Sequence, residues 1–119
     1  MEAEIRTECV KVASLRKTYG KDITLEKWMG MPNNLYVGRR GRIFIDGKVF
    51  SYAESKWANP FTLKMYSLKD SLELYRNHII TSGLINNLNE LQGKVLGCWC
   101  EKGDCHAKVL VDLFMHRNL

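Results

Sequence analysis

Proline occurs only twice in the 119 residues. No apolar run approaches the roughly 18 residues of a membrane-crossing helix. No positively charged leader followed by an apolar stretch is present, so neither a membrane span nor a secretion signal is expected. The glycines are scattered, and neither a G-x-G-x-x-G fingerprint nor a P-loop occurs. Two common ways of holding a nucleotide are thereby removed, though not nucleotide binding itself. Internal repeats and a linker long enough to divide the chain are also lacking. With 45% hydrophobic and 26% charged residues, the composition is that of a globular chain. A single domain of this length buries about two-thirds of its unfolded surface, enough for a true core.

Charge is unevenly spread. Residues 1–60 carry 11 basic and 7 acidic side chains, against 7 and 6 in residues 61–119, within a net charge of +5. Arg39, Arg40, Arg42, Lys48 and Lys56 form the densest basic group, offset by Asp46 and Glu54. Such a field attracts a nucleotide, a phosphate or a nucleic-acid backbone, or serves only solubility.

The order of elements points to an α/β chain. Residues 9–13 alternate around Val10 and Val12, which predicts an early strand. Thr24 is placed to cap a helical turn carrying Leu25, Trp28 and Met29, and residues 35–38 suggest another strand. Asp46 and Gly47 between two apolar stretches are the signature of a two-residue hairpin turn. The hairpin over 42–51 pairs Ile45 with Lys48, Phe44 with Val49, and Ile43 with Phe50. Apolar groups on both faces predict packing on each side. Leu68, Leu72, Tyr75 and Ile79 then repeat at helical spacing, with Ser67 as N-cap and Gly83 as terminator. A short helix bearing Leu84, Leu88 and Leu91 follows, ending at Gly93. Residues 94–100 read as a strand. Asp104 is expected to cap a final helix whose Val109, Leu110, Leu113 and Phe114 face the core. The expected architecture is one compact α/β domain over residues 1–119, a Rossmann-like small sheet flanked by helices with the hairpin as an elaboration.

Three of the four cysteines, Cys98, Cys100 and Cys105, fall within eight residues, and His106 follows directly. A disulfide scaffold spreads its cysteines to staple distant loops, so a reducing compartment is expected: the cytoplasm, with the nucleus as an alternative. On a strand, Cys98 and Cys100 share a face opposite Trp99. Cys98, Cys100, Cys105 and His106 supply a ligand count suited to tetrahedral zinc, although C-x-C-x4-C-H is not the usual paired arrangement. A second reading makes Cys105 a catalytic thiol activated at a helix start beside His106. A third gives the helix start to an anionic oxygen, and a fourth packs the cysteines as small apolar groups.

Elsewhere, Tyr36, Val37, Gly38 and Arg39 end a strand in a basic turn where Arg39 can present a bidentate fork to phosphate. Lys56 and Asn59 can complete a polar pocket with Arg39, the backbone of Asn59 being pushed away from the helical region by Pro60. Glu54 is the best single candidate for a general base. Trp57 reads as core, while Trp57 or Trp99 can also cover a base. His78 and His116 read as structural or exposed.

These segments resemble the domain-of-unknown-function family numbered 4326. Its pattern has a V-x-V strand, Y-[IV]-G-R, S-K-W-G-N-P-F and a final L-x-G-K-x-L-x-C-W-C-…-C-H segment. Here they stand as Val10-Lys11-Val12, Tyr36 to Arg39, Ser55 to Phe61, and Leu91 to His106. Ala58 and Ala107 replace glycines of the pattern, and the 42–51 hairpin is an elaboration between motifs that lie closer together in many relatives. The resemblance implies a compact α/β domain without a transferable reaction, and its viral and phage members imply a nucleotide or nucleic-acid context. The expected function is therefore binding of a nucleotide-related or other phosphate-bearing small molecule, with processing of it an open question. Arg39, Lys56, Asn59, Cys105 and His106 are the expected ligand contacts. The alternative is a non-enzymatic, zinc-stabilised module that binds nucleic acid or protein.

Overall fold

The last strand of the chain is the middle strand of its sheet. In the computed structural model, which describes residues 5–45, 47–99 and 105–117, β5 (Val95–Cys98) lies between β1 (Arg6–Cys9) and β2 (Asn34–Tyr36). It runs parallel to both, with Cys9 opposite Cys98 and Tyr36 opposite Gly97. A parallel sheet needs cover on both faces, and the alternation along β5 assigns it. Leu96 and Cys98 enter one core cluster, whereas Val95 and Trp99 pack with the other. Gly97 is required there, because a Cβ would come within 2.7 Å of the Trp28 ring and of Val10.

One face is covered by α3 (Leu68–Thr81), a 3-10 helix (Leu84–Leu91) and α4 (His106–Met115). Tyr75, Ile79, Leu88, Leu91, Leu110 and Phe114 are buried there. Ser67 caps α3 as expected, its Oγ accepting the Asp70 N–H at 3.1 Å. The buried stripe is nonetheless turned by a residue: Ser71 is 2% exposed while Leu68 is 43% exposed. The interior at Ser71 needs a hydroxyl, for reasons given below. At α4 the N-cap position belongs to Cys105; Asp104, expected in that role, lies outside the described residues.

The other face carries α1 (Val12–Tyr19), α2 (Leu25–Met29) and a hairpin of β3 (Gly41–Ile45) and β4 (Lys48–Tyr52). Thr24 caps α2 through its Oγ, which accepts the Lys27 N–H at 3.1 Å. The expected strand over 9–13 is corrected. Val10 still donates to Cys98 O at 2.8 Å, but the chain is already helical at Val12 and Leu15 N donates to Lys11 O at 2.9 Å. Ala13, Leu15, Arg16 and Lys17 favour a helix strongly enough to end the strand. The hairpin has the expected register, and Gly47 adopts φ +76°; its neighbour Asp46 lies outside the described residues. It packs on one face only, however. Ile43, Phe50 and Tyr52 meet the core, while Phe44 and Val49 remain 70% and 53% exposed, since no element among the described residues crosses the outer side. The chain is thus an α/β domain with a small parallel sheet covered on both faces and a separate antiparallel hairpin. No helix among the described residues is long and apolar enough to cross a membrane.

Candidate functional site

Tyr36 closes its own turn. Its hydroxyl donates to the Arg39 carbonyl at 2.7 Å and accepts from Trp99 Nε1 at 2.8 Å. Gly38 lies under the tyrosine ring, which a Cβ would strike. This explains why tyrosine and glycine occur together before Arg39. Burial pushes the Tyr36 hydroxyl up to about 12, with Tyr52 adding to the rise and the Trp99 N–H opposing it.

The next segment is zipped to this turn. Ser55 N donates to Gly38 O at 3.1 Å, and Arg39 Nε donates to the Asn59 carbonyl at 2.7 Å. Asn59 itself is 7% exposed and spends its amide on the fold. Its Oδ1 accepts the Phe61 N–H at 2.9 Å, and its Nδ2 donates to Ser71 Oγ at 2.9 Å. Ser71 Oγ in turn donates to Phe61 O at 2.6 Å. This closed ring of bonds is why a serine occupies a core position of α3. Asn59 therefore aims its carbonyl at Arg39, and its side chain serves the loop. Trp57 is core, 1% exposed, and its carbonyl accepts from the Tyr75 hydroxyl at 2.5 Å. Burial raises the Tyr75 hydroxyl far above the ordinary tyrosine range, and the neighbouring Cys105 adds to the effect.

The C-terminal segment joins the same assembly. His106 Nε2 lies 2.7 Å from Val37 O. A carbonyl can only accept, so Nε2 carries the proton, and in the neutral ring Nδ1 is the accepting nitrogen. Nδ1 is 4.0 Å from Cys105 Sγ, and that sulfur is 2.9 Å from Cys98 Sγ. Adjacent helical residues diverge, but Cys105 has extended backbone (φ −148°, ψ 150°) at the N-cap. Its side chain therefore stays beside that of His106.

These parts enclose a cavity of about 640 Å³ beyond the carboxyl ends of β2 and β5, where open α/β sheets bind their ligands. Arg39, Asn59, Cys105 and His106, all expected site residues, line it together. Tyr36, Tyr52 and Trp99 form an aromatic wall, with the Tyr52 and Trp99 rings 6.1 Å apart. Arg39, Arg40 and Lys64 are the charged residues of the lining, and among the described residues no carboxylate joins them. Apart from the Nε bond to Asn59, the Arg39 side chain has no hydrogen-bond or ion-pair partner among the described residues.

Two expected residues stand elsewhere. Lys56 pairs with Glu90 at 2.5 Å and lies over Trp57, 5.5 Å from the ring centroid. It lines a different groove, with Glu90 and Lys94. The Lys56 bond holds the Glu90 carboxyl below its usual range. Glu54 is exposed and does not line the cavity. Lys64 was not anticipated, since nothing in Thr62-Leu63-Lys64-Met65 distinguishes it from any surface lysine. Among the described residues no group of three or more His, Cys, Asp or Glu side chains is placed to hold a metal ion. The fourth expected zinc ligand, Cys100, lies outside the described residues.

The fold and the interlocked segments define an α/β domain with a basic, aromatic-walled cavity at one sheet end. The chain belongs to the family described as a domain of unknown function (DUF4326), whose model matches residues 23–116. A similar protein is the uncharacterized protein R718 of Acanthamoeba polyphaga mimivirus, 32% identical over 90 residues. The match covers 68% of this chain and 66% of the viral protein, so the chain spans a little under two-thirds of that relative. No solved structure matches the chain.

Proposed function

We propose that the cavity binds a nucleotide-related or other phosphate-bearing small molecule, its phosphate against Arg39 and its flat ring against Tyr52 and Trp99. The observation that carries this reading is the position of Arg39. One guanidinium nitrogen is anchored on Asn59, and the other donors belong to a cavity whose described lining has Arg40 and Lys64 and no carboxylate. A guanidinium fork so held matches phosphate oxygens at little further entropic cost. The ten-residue α4 begins at the same cavity, and its first N–H groups add positive potential. The volume lies within the range of small-molecule sites.

The test is an NMR titration of the labelled protein with inorganic phosphate, ribose 5-phosphate and the four common nucleoside 5′-monophosphates. Shifts concentrated at residues 38–40, 62–64 and 105–106 are expected, with nucleotides binding more tightly than phosphate alone. Arg39→Ala should weaken binding about tenfold or more, the worth of a charge-assisted hydrogen bond. Absence of any response at these residues, with salt-sensitive binding only to long nucleic acids, overturns the reading.

A further inference from the structure

We infer that Cys98 and Cys105 form a redox-active dithiol, a modification site at the inner end of the cavity that closes reversibly to a disulfide. Their sulfurs stand 2.9 Å apart, and the side chains are 3% and 4% exposed. A disulfide bond is about 2.05 Å long, so a movement of roughly 1 Å joins them. The two residues are held on opposing rigid parts, Cys98 at the end of the central strand and Cys105 at the cap of α4. The inference does not depend on what the cavity binds.

The two thiols differ in access, and the difference assigns their roles. Cys105 lines the cavity and Cys98 does not, so a reagent entering from solvent meets Cys105 first. Thiol–disulfide exchange proceeds through the thiolate, and His106 Nδ1 stands 4.0 Å from Cys105 Sγ. The co-reactant is a low-molecular-weight disulfide, R–S–S–R. The Cys105 thiolate attacks one of its sulfurs, forming Cys105–S–S–R and expelling R–S⁻, which takes up the released proton. Cys98 then loses its proton and attacks Cys105 Sγ, expelling the second R–S⁻. The protein gives up two electrons and two protons, and the small disulfide is reduced to two thiols.

The full chain carrying Cys9→Ser and Cys100→Ser is equilibrated in glutathione buffers of graded oxidised-to-reduced ratio, then read by intact mass and peptide mapping. Loss of two hydrogens and a Cys98–Cys105 cross-link are expected. Adding Cys98→Ser should instead trap a glutathione adduct on Cys105. Adding Cys105→Ser should leave Cys98 largely unmodified. The unaltered chain gives an independent readout, since the Cβ carbon shifts of Cys98 and Cys105 should move downfield together on oxidation. No cross-link at any ratio overturns the inference. So does preferential adduct formation on Cys98, or an unaltered chain that holds stoichiometric zinc on these two sulfurs and forms no disulfide.

Discussion

Arg39 and Asn59 are joined by a single hydrogen bond, guanidinium Nε to backbone carbonyl at 2.7 Å, across twenty residues of sequence. The bond holds the base of the guanidinium while leaving its outer edge to the cavity. It is steady because the Asn59 side chain is itself fixed, by Phe61 on one side and Ser71 on the other. The arginine therefore inherits its position from a buried polar ring that fixes its partner, Asn59.

That inheritance predicts that Ser71→Ala acts on Arg39 through Asn59. The alanine removes the donor to Phe61 O and the acceptor of Asn59 Nδ2, leaving the buried Asn59 amide without this partner. A loss of about 2 kcal/mol in urea denaturation is expected, the usual cost of an unsatisfied buried group. Nucleotide affinity should fall as well, although residue 71 carries no charge. Full stability in the variant would show that the ring is not what holds Asn59.

Tyr36 gives a prediction at alkaline pH. Its hydroxyl, ordinarily near 10, is raised to about 12 in the fold. Between these values the unfolded chain has released the proton and the folded chain retains it, so stability falls as pH rises through the window. Below pH 10 the contribution is fully present. Tyr36→Phe should lower stability at neutral pH by about 1–3 kcal/mol, because Trp99 Nε1 and Arg39 O lose their partner. It should also flatten the decline between pH 10 and 12. Denaturant titrations of both proteins at stepped pH measure the two effects together. An unchanged alkaline slope would place the titrating group elsewhere.

Lys56 supplies a contrast with Arg39. It carries the same unit charge, yet it is paired with Glu90 in another groove. Lys56→Ala should leave nucleotide affinity unchanged and move the urea midpoint little, as for an exposed pair. A loss of affinity matching that of Arg39→Ala would mean that the long-range field governs binding.

Much of the fold was legible where local chemistry admits one answer. Asp46 and Gly47 set the hairpin register to the residue, and Thr24 and Ser67 marked helix starts through their side-chain oxygens. The opening segment was not legible. Cys9 to Ala13 satisfies a strand pattern, and only the helix formers beyond it decide otherwise. The exposed outer face of the hairpin was missed because apolar residues such as Phe44 announce burial only if an element arrives to cover them. At the cavity, Arg39 and the Cys105–His106 pair could be singled out by residue type. Asn59 could be singled out too, but not its role, since an amide facing a ligand and an amide closing a loop look alike in sequence. Lys56 and Lys64 exchange places relative to expectation because the pairing of one with Glu90 depends on tertiary contact alone.

The position of β5 between two strands that precede it by about sixty residues or more sets a rule for biosynthesis. While the chain is being made, β1 and β2 leave the ribosome long before β5, the strand that bridges them. The sheet cannot assemble in the order of translation, and the half-made chain keeps β1 and β2 waiting for their shared partner. Contacts of such span also slow the closure of the domain once the final segment arrives.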